Sequence, residues 1–191
     1  MIVTLTGASG VGKSSIMKGA LERLGPSARI LESCTTRAPR PSDLPSEYRY
    51  LDSREFQAVR AEGRFLWTVE VHGASYGTPK IAVLAALSEP QRLSFMILVP
   101  DVLRILDAFV RNVMGADADH HLTSFFVLSP GPAELHARLV RRGDGEAAIV
   151  RRLNDCFAWE AEARASGIPY IFIENSGPLA NAVRRVRSVL S

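Results

Sequence analysis

Short, nearly unbroken apolar runs alternate along the chain with stretches whose apolar residues recur at helical spacing. Ile2–Thr6, Leu93–Val99, Leu122–Leu128 and Tyr170–Ile173 read as buried strands, and Ala28–Cys34 and Phe65–Val71 as two more. Ser14–Leu24 carries Ile16, Met17, Ala20, Leu21 and Leu24 on one stripe and stops at Gly25-Pro26, which predicts a helix. Further helices are predicted over 53–61, with Ser53 as the N-cap, and over 79–87, 100–111, 132–141, 146–165 and 179–190. Gly143-Asp144-Gly145 breaks the pattern between two of them. Residues 36–50, which hold Pro39, Pro41 and Pro45, read as one long loop, and His72-Gly73-Ala74 as a turn. Strands that alternate with helices imply an α/β fold, a mainly parallel core sheet covered by helices on both faces.

Composition narrows the class without naming a chemistry. The 191 residues suit a single domain, and no repeat or low-complexity linker divides them. With 47% hydrophobic and 23% charged residues the chain is an ordinary globular protein, not a collagen-like, disordered or coiled-coil one. No run of about 18 apolar residues predicts a membrane span. Met1-Ile2-Val3-Thr4-Leu5 has no basic stretch ahead of it, so no signal peptide is expected. The formal charge of +3 points to a mixed surface rather than a nucleic-acid footprint. Neither nucleic acid nor membrane is therefore expected as a partner, and a cytoplasmic monomer or homodimer is. Cys34 and Cys156 lack metal-ligand spacing and read as reduced thiols.

One motif carries specific chemistry. Gly7-Ala8-Ser9-Gly10-Val11-Gly12-Lys13-Ser14 satisfies every fixed position of G-x-x-x-x-G-K-[ST], directly after a strand and opening a helix. Glycines let successive backbone N–H groups turn inward around phosphate oxygens, and the helix N-terminus adds partial positive charge. In such a loop Lys13 reaches the β- and γ-phosphates of ATP and the Ser14 hydroxyl ligates Mg²⁺, with Ser15 beside it in the donor site. The loop names a nucleoside triphosphate, not its fate. A kinase, a hydrolase or a binding module all remain open at this point.

A second set of residues lies downstream. Ser33-Cys34-Thr35-Thr36-Arg37-Ala38-Pro39-Arg40 puts two arginines three apart in a proline-restricted loop, and Tyr48 and Tyr76 follow with hydroxyl donors. Arginine suits bidentate recognition of phosphate. The residue types fit a second phosphate site, or an arginine-rich solvated loop.

These segments, with Glu47-Tyr48-Arg49-Tyr50, the stretch 65–78 and Leu135–Asp144, resemble the guanylate kinase family over nearly the whole chain. The resemblance implies a P-loop kinase fold with a parallel core sheet over 1–34, 81–137 and 153–191. It also implies a small acceptor-binding insertion over 35–80 and a lid over 138–152. Ser33, Arg37, Arg40, Tyr48 and Tyr76 match residues that grip the acceptor's phosphate, and Thr78 a residue that touches the acceptor base. Arg138, Arg142 and Arg152 match lid and sensor arginines around the transferring phosphoryl group, and Asn175 a position beside the donor's adenine. Read without the resemblance, the lid arginines could equally be solvated helix residues.

The match breaks where the family reads guanine. Trp67 stands where a Glu is usual, and Ile97 and Val99 where two Asp residues are usual. Asp101 is the nearest acid, expected to cap the helix that follows or to support Mg²⁺ through water. Glu70 lies an odd number of residues from Trp67 and so faces away from it. Trp67 could stack on a different base, cover a sugar or pack in the core. The kept phosphate grip and lost base readers also resemble ribose 1,5-bisphosphate kinases, as does Asn175-Ser176-Gly177-Pro178-Leu179. The sequence thus predicts an ATP- and Mg²⁺-dependent phosphotransferase acting on a small phosphorylated acceptor. GMP is the default of the family, and ribose 1,5-bisphosphate the alternative. A non-catalytic binding module and a hydrolytic switch are the readings from other classes.

Overall fold

The computed structural model describes residues 1–41, 43–71 and 73–190; Ser42 of the predicted loop, His72 of the predicted turn and Ser191 lie outside the described residues. The elements run β1 (Ile2–Thr6), α1 (Lys13–Leu24), β2 (Ala28–Ile30), β3 (Ser33–Thr35), β4 (Tyr48–Tyr50), α2 (Ser53–Ala61), β5 (Phe65–Val71) and β6 (Ala74–Pro79). They continue with α3 (Lys80–Leu87), β7 (Leu93–Ile97), α4 (Pro100–Met114), β8 (Leu122–Val127), α5 (Pro132–Arg141), α6 (Glu146–Ala165), β9 (Ile171–Ile173) and α7 (Leu179–Leu190). A five-stranded sheet has the order β2-β7-β1-β8-β9, with β2/β7 and β8/β9 parallel. A four-stranded sheet has the order β4-β3-β6-β5, with β3/β4 parallel and β3/β6 and β6/β5 antiparallel. The α/β class and the parallel core sheet expected from the pattern are present.

Several local expectations are corrected. The apolar run 28–34 is not one strand: β2 pairs with β7, and the chain then crosses to the small sheet as β3. A hydrophobic run cannot report which sheet its two halves join. The expected loop 36–50 contains β4, an edge strand whose Tyr-Arg-Tyr side chains are half-buried or exposed and so carry little apolar signal. Ala74–Pro79, for which the pattern predicted no strand, forms β6. Its Gly77 has a tertiary cause, since a Cβ there would lie 3.0 Å from the Phe65 ring. The cap of α2 is Asp52, not Ser53: its carboxylate accepts from the Glu55 amide while Glu55 accepts from the Asp52 amide. Asp101 lies inside the first turn of α4 rather than at its cap, where its charge meets the positive end of the helix dipole. Strand β7 stops at Ile97, short of Val99, and α4 runs on to Met114.

The chain divides into two compact units, one of Met1–Val3, Gly25–Met96 and Asp101–Thr123, the other of Thr4–Leu24, Ile97–Pro100 and Ser124–Ser191. In the first, α2 covers one face of the four-stranded sheet. Phe56 stacks on Phe65 with centroids 4.8 Å apart, beside Cys34 and against Leu51 and Val59. A register shift between Phe65 and Trp67 turns the two aromatic side chains to opposite faces. In the second unit α1 packs on α7 so closely that a Cβ on Gly19 would sit 2.8 Å from Val183 Cγ2.

Candidate active site

The second unit builds a phosphate loop. All five residues of β1 are buried, which anchors the loop that follows at its amino end, and α1 begins at Lys13, placing Ser14 and Ser15 in its first turn. Gly7 and Gly12 adopt φ of +138° and +103°. A Cβ would lie 2.5 Å from the Val127 carbonyl oxygen at Gly7 and 2.3 Å from Asn175 Nδ2 at Gly12, so both conformation and space demand glycine. Lys13 Nζ donates to the carbonyls of Gly7 at 2.6 Å and Ala8 at 2.7 Å, which lays the ammonium across the loop.

Of the lid arginines singled out by sequence, Arg138 and Arg142 reach this loop. Arg138 Nη1 donates to the Val11 carbonyl at 3.3 Å, and its Nη2 to Glu134 at 2.6 Å and to the Asn175 carbonyl at 2.8 Å. Arg142 Nη2 donates to Ser9 Oγ at 3.1 Å. Asp144 is paired with both Arg142 and Arg152. Burial works to raise the Asp144 pKa, but the hydrogen bonds from the two arginines prevail and hold it below the ordinary carboxylate range. Arg152 is 7% exposed, and its Nε has no hydrogen-bond partner among the described residues. A buried cationic donor left this way fits an anion better than an apolar neighbour. Asn175 is equally buried; its Nδ2 donates to the Val11 carbonyl at 2.7 Å, so the amide braces the phosphate loop. Left-handed glycines, a lysine over the loop and an under-partnered buried arginine together fit a triphosphate tail. Among the described residues no cluster of three or more His, Cys, Asp or Glu side chains could hold a metal.

The first unit carries the other set. Pairing of Ser33 with Tyr48, Thr35 with Tyr76 and Trp67 with Thr78 places these six side chains on one face of the small sheet, opposite α2. The Ser33 and Thr78 hydroxyls are 2.8 Å apart. Tyr48 and Tyr76 meet edge to face at 5.9 Å. The Arg37 guanidinium lies 4.8 Å from the Tyr48 ring centroid. It donates to both carboxylate oxygens of Asp43 at 2.7 Å. Burial disfavours charge on Arg37, yet the Asp43 carboxylate more than offsets this and raises its pKa. Burial likewise pushes Asp43 up, and the bonds from Arg37, Tyr50 and the Arg40 amide pull it down to about 2. The Arg40 side chain is exposed. Trp67 is only 6% exposed, and Glu70 is exposed, in keeping with its opposite facing.

Sequence reasoning passed over Asp43, Glu47, Tyr50 and Asp144. Glu47 is buried and ties the loop back on itself: its side chain accepts from the Leu44 amide at 3.0 Å and its carbonyl from the Ser33 amide at 3.2 Å. Burial pushes the Glu47 carboxyl up, and the Leu44 hydrogen bond opposes it. The available signal was an acid among arginines, as in Asp43 near Arg37 and Arg40, or Asp144 near Arg142.

A family model described as "Guanylate kinase" matches residues 1–190. The chain belongs to the guanylate kinase family. The guanylate kinase of Trichormus variabilis is 38% identical over 154 residues, covering 80% of this chain and 72% of that protein. That of Symbiobacterium thermophilum is 32% identical over 192 residues, covering 100% and 84%. The crystal structure of guanylate kinase from Anaplasma phagocytophilum shares the fold, with a TM-score of 0.70 at 20% identity over 100% of this chain and 84% of that one. Membership in this family makes the protein an ATP-dependent kinase.

Proposed function

We propose that this kinase transfers the γ-phosphoryl group of ATP to the phosphate of a small acceptor held by Ser33 and by Arg37, Arg40, Tyr48, Tyr76 and Thr78 of the insertion 35–80. The observation that carries this reading is the pairing within one chain of a complete phosphate loop with a separate arginine–tyrosine–hydroxyl face. A hydrolase has no use for the second set, and the intact Gly12-Lys13-Ser14 argues against a non-catalytic binding module. Transfer of this kind asks little covalent chemistry of the protein and relies on positioning and charge neutralisation. Lys13 and the loop amides hold the donor phosphates. Arg138, Arg142 and Arg152, all on the lid 138–152, stabilise the charge spread over the transferring group and exclude water. Mg²⁺ would be held by Ser14 and by the triphosphate's own oxygens, and supplies further charge neutralisation there.

GMP is the default acceptor for the family. A second reading, ribose 1,5-bisphosphate, is supported by the buried Trp67 and the apolar Ile97 and Val99, which by the resemblance take the place of carboxylates that pair with guanine's N–H donors. Loss of such partners weakens discrimination by orders of magnitude. Coupled ADP release measured over a panel of phosphorylated acceptors decides between them. GMP turning over far faster than every other acceptor would defeat the second reading. Turnover of none, with Lys13→Ala indistinguishable from the parent, would defeat both.

A further inference from the structure

An arginine can hold an oxyanion from two edges, the Nη1/Nη2 end or the Nε/Nη2 side. In Arg37 the end is taken: Nη1 donates to Asp43 Oδ2 and Nη2 to Oδ1, each at 2.7 Å. The second Nη1 hydrogen goes to the Ala38 carbonyl at 2.9 Å. These bonds fill the Nη1/Nη2 end, and the side chain is only 9% exposed. The guanidinium carbon lies over the Tyr48 ring. Asp43 itself is immobilised by two further donors, the Arg40 amide at 2.7 Å and the Tyr50 hydroxyl at 2.6 Å.

We propose that Asp43 is a positioning residue for the acceptor: it pins Arg37 by one edge so that the Nε/Nη2 edge is presented to the acceptor's phosphate. The proposal rests on the reading of Arg37 as part of the phosphate grip. It assigns three tasks to one carboxylate, which orients the guanidinium, fixes the backbone from which Arg40 projects, and ties in Tyr50. An acceptor phosphate then meets an arginine whose rotamer is already chosen, so less entropy is lost on binding.

The test compares the parent with Asp43→Asn, Asp43→Glu and Arg37→Ala. GMP and ribose 1,5-bisphosphate serve as the acceptor probes. Asp43→Asn should raise the acceptor KM by about tenfold or more, with kcat and the ATP KM within about twofold, and Asp43→Glu should recover most of the loss. In ¹⁵N spectra the Arg37 Nε–H signal should shift when either acceptor probe saturates the parent. An acceptor KM that is unchanged in Asp43→Asn overturns the proposal. One that falls does so too, because it would make Asp43 a competitor for the phosphate. A joint loss of kcat and both KM values with a lowered Tm overturns it in favour of a purely structural role. An acceptor KM unmoved in Arg37→Ala sinks the underlying reading of the site instead. If Asp43→Asn does not fold, the parent spectrum still decides: an Nε–H signal unmoved at acceptor saturation defeats the proposal.

Discussion

Replacing Asn175 separates two ways in which a residue can serve a nucleotide site. The resemblance implies a place beside the adenine, and in the structure its amide donates to the phosphate loop. Asn175 is 6% exposed and its Nδ2 donates to the Val11 carbonyl at 2.7 Å. Arg138 Nη1 reaches the same oxygen at 3.3 Å, so Asn175→Ala does not leave that carbonyl bare. The loss is one neutral hydrogen bond plus a small void beside Gly12, about 1–2 kcal/mol. In a chain of this length that lowers the Tm by about 3–6 °C, readable by scanning calorimetry. The kinetic consequence follows from where the brace acts. A loosened loop weakens its hold on any triphosphate tail, so the KM for ATP and for GTP should rise by the same factor. An unchanged Tm together with a loss confined to ATP would refute this reasoning and return Asn175 to base recognition.

Other outcomes follow from the same geometry. Gly12→Ala places a Cβ 2.3 Å from Asn175 Nδ2 at a φ of +103°, so nucleotide binding measured by calorimetry should be abolished with the far-ultraviolet spectrum intact. Asp144→Ala leaves Arg152, 7% exposed, without its carboxylate. Urea denaturation should show a loss of about 2–4 kcal/mol, and a further Arg152→Met should restore much of it. The Asp43 carboxyl, held at about 2, lies below its ordinary value near ~4, so its stabilisation is complete above about pH 4 and disappears as pH falls toward 2. Acid titration of urea stability should therefore be steeper between about pH 4 and pH 2 in the parent than in Asp43→Asn, by about 1–2 kcal/mol. With Trp159→Phe, Trp67 becomes the only tryptophan; its emission should respond to acceptor and not to ATP alone.

The elements that sequence made legible are those whose requirements are met within a few residues. The apolar run 2–6, the eight residues of the phosphate loop and the stripe of α1 each state their own conformation, and the structure keeps all three. The periodic helices 132–141, 146–165 and 179–190 are reproduced end for end for the same reason. What went unread depends on partners far away in the chain. The run 28–34 divides between two sheets because β7 claims one half and β6 the other. Strand β6 exists because Gly77 admits the Phe65 ring. Residue types and spacings thus determined the fold class, the donor loop and the arginines available to hold phosphate. The tertiary structure alone decided that Asp43 and Asp144 govern those arginines, that Asn175 braces the loop, and that Trp67 shares a face with Ser33 and Thr78. Those outcomes turn on strand register and on which buried charge meets which carboxylate, and both are settled by packing between segments rather than by any segment itself.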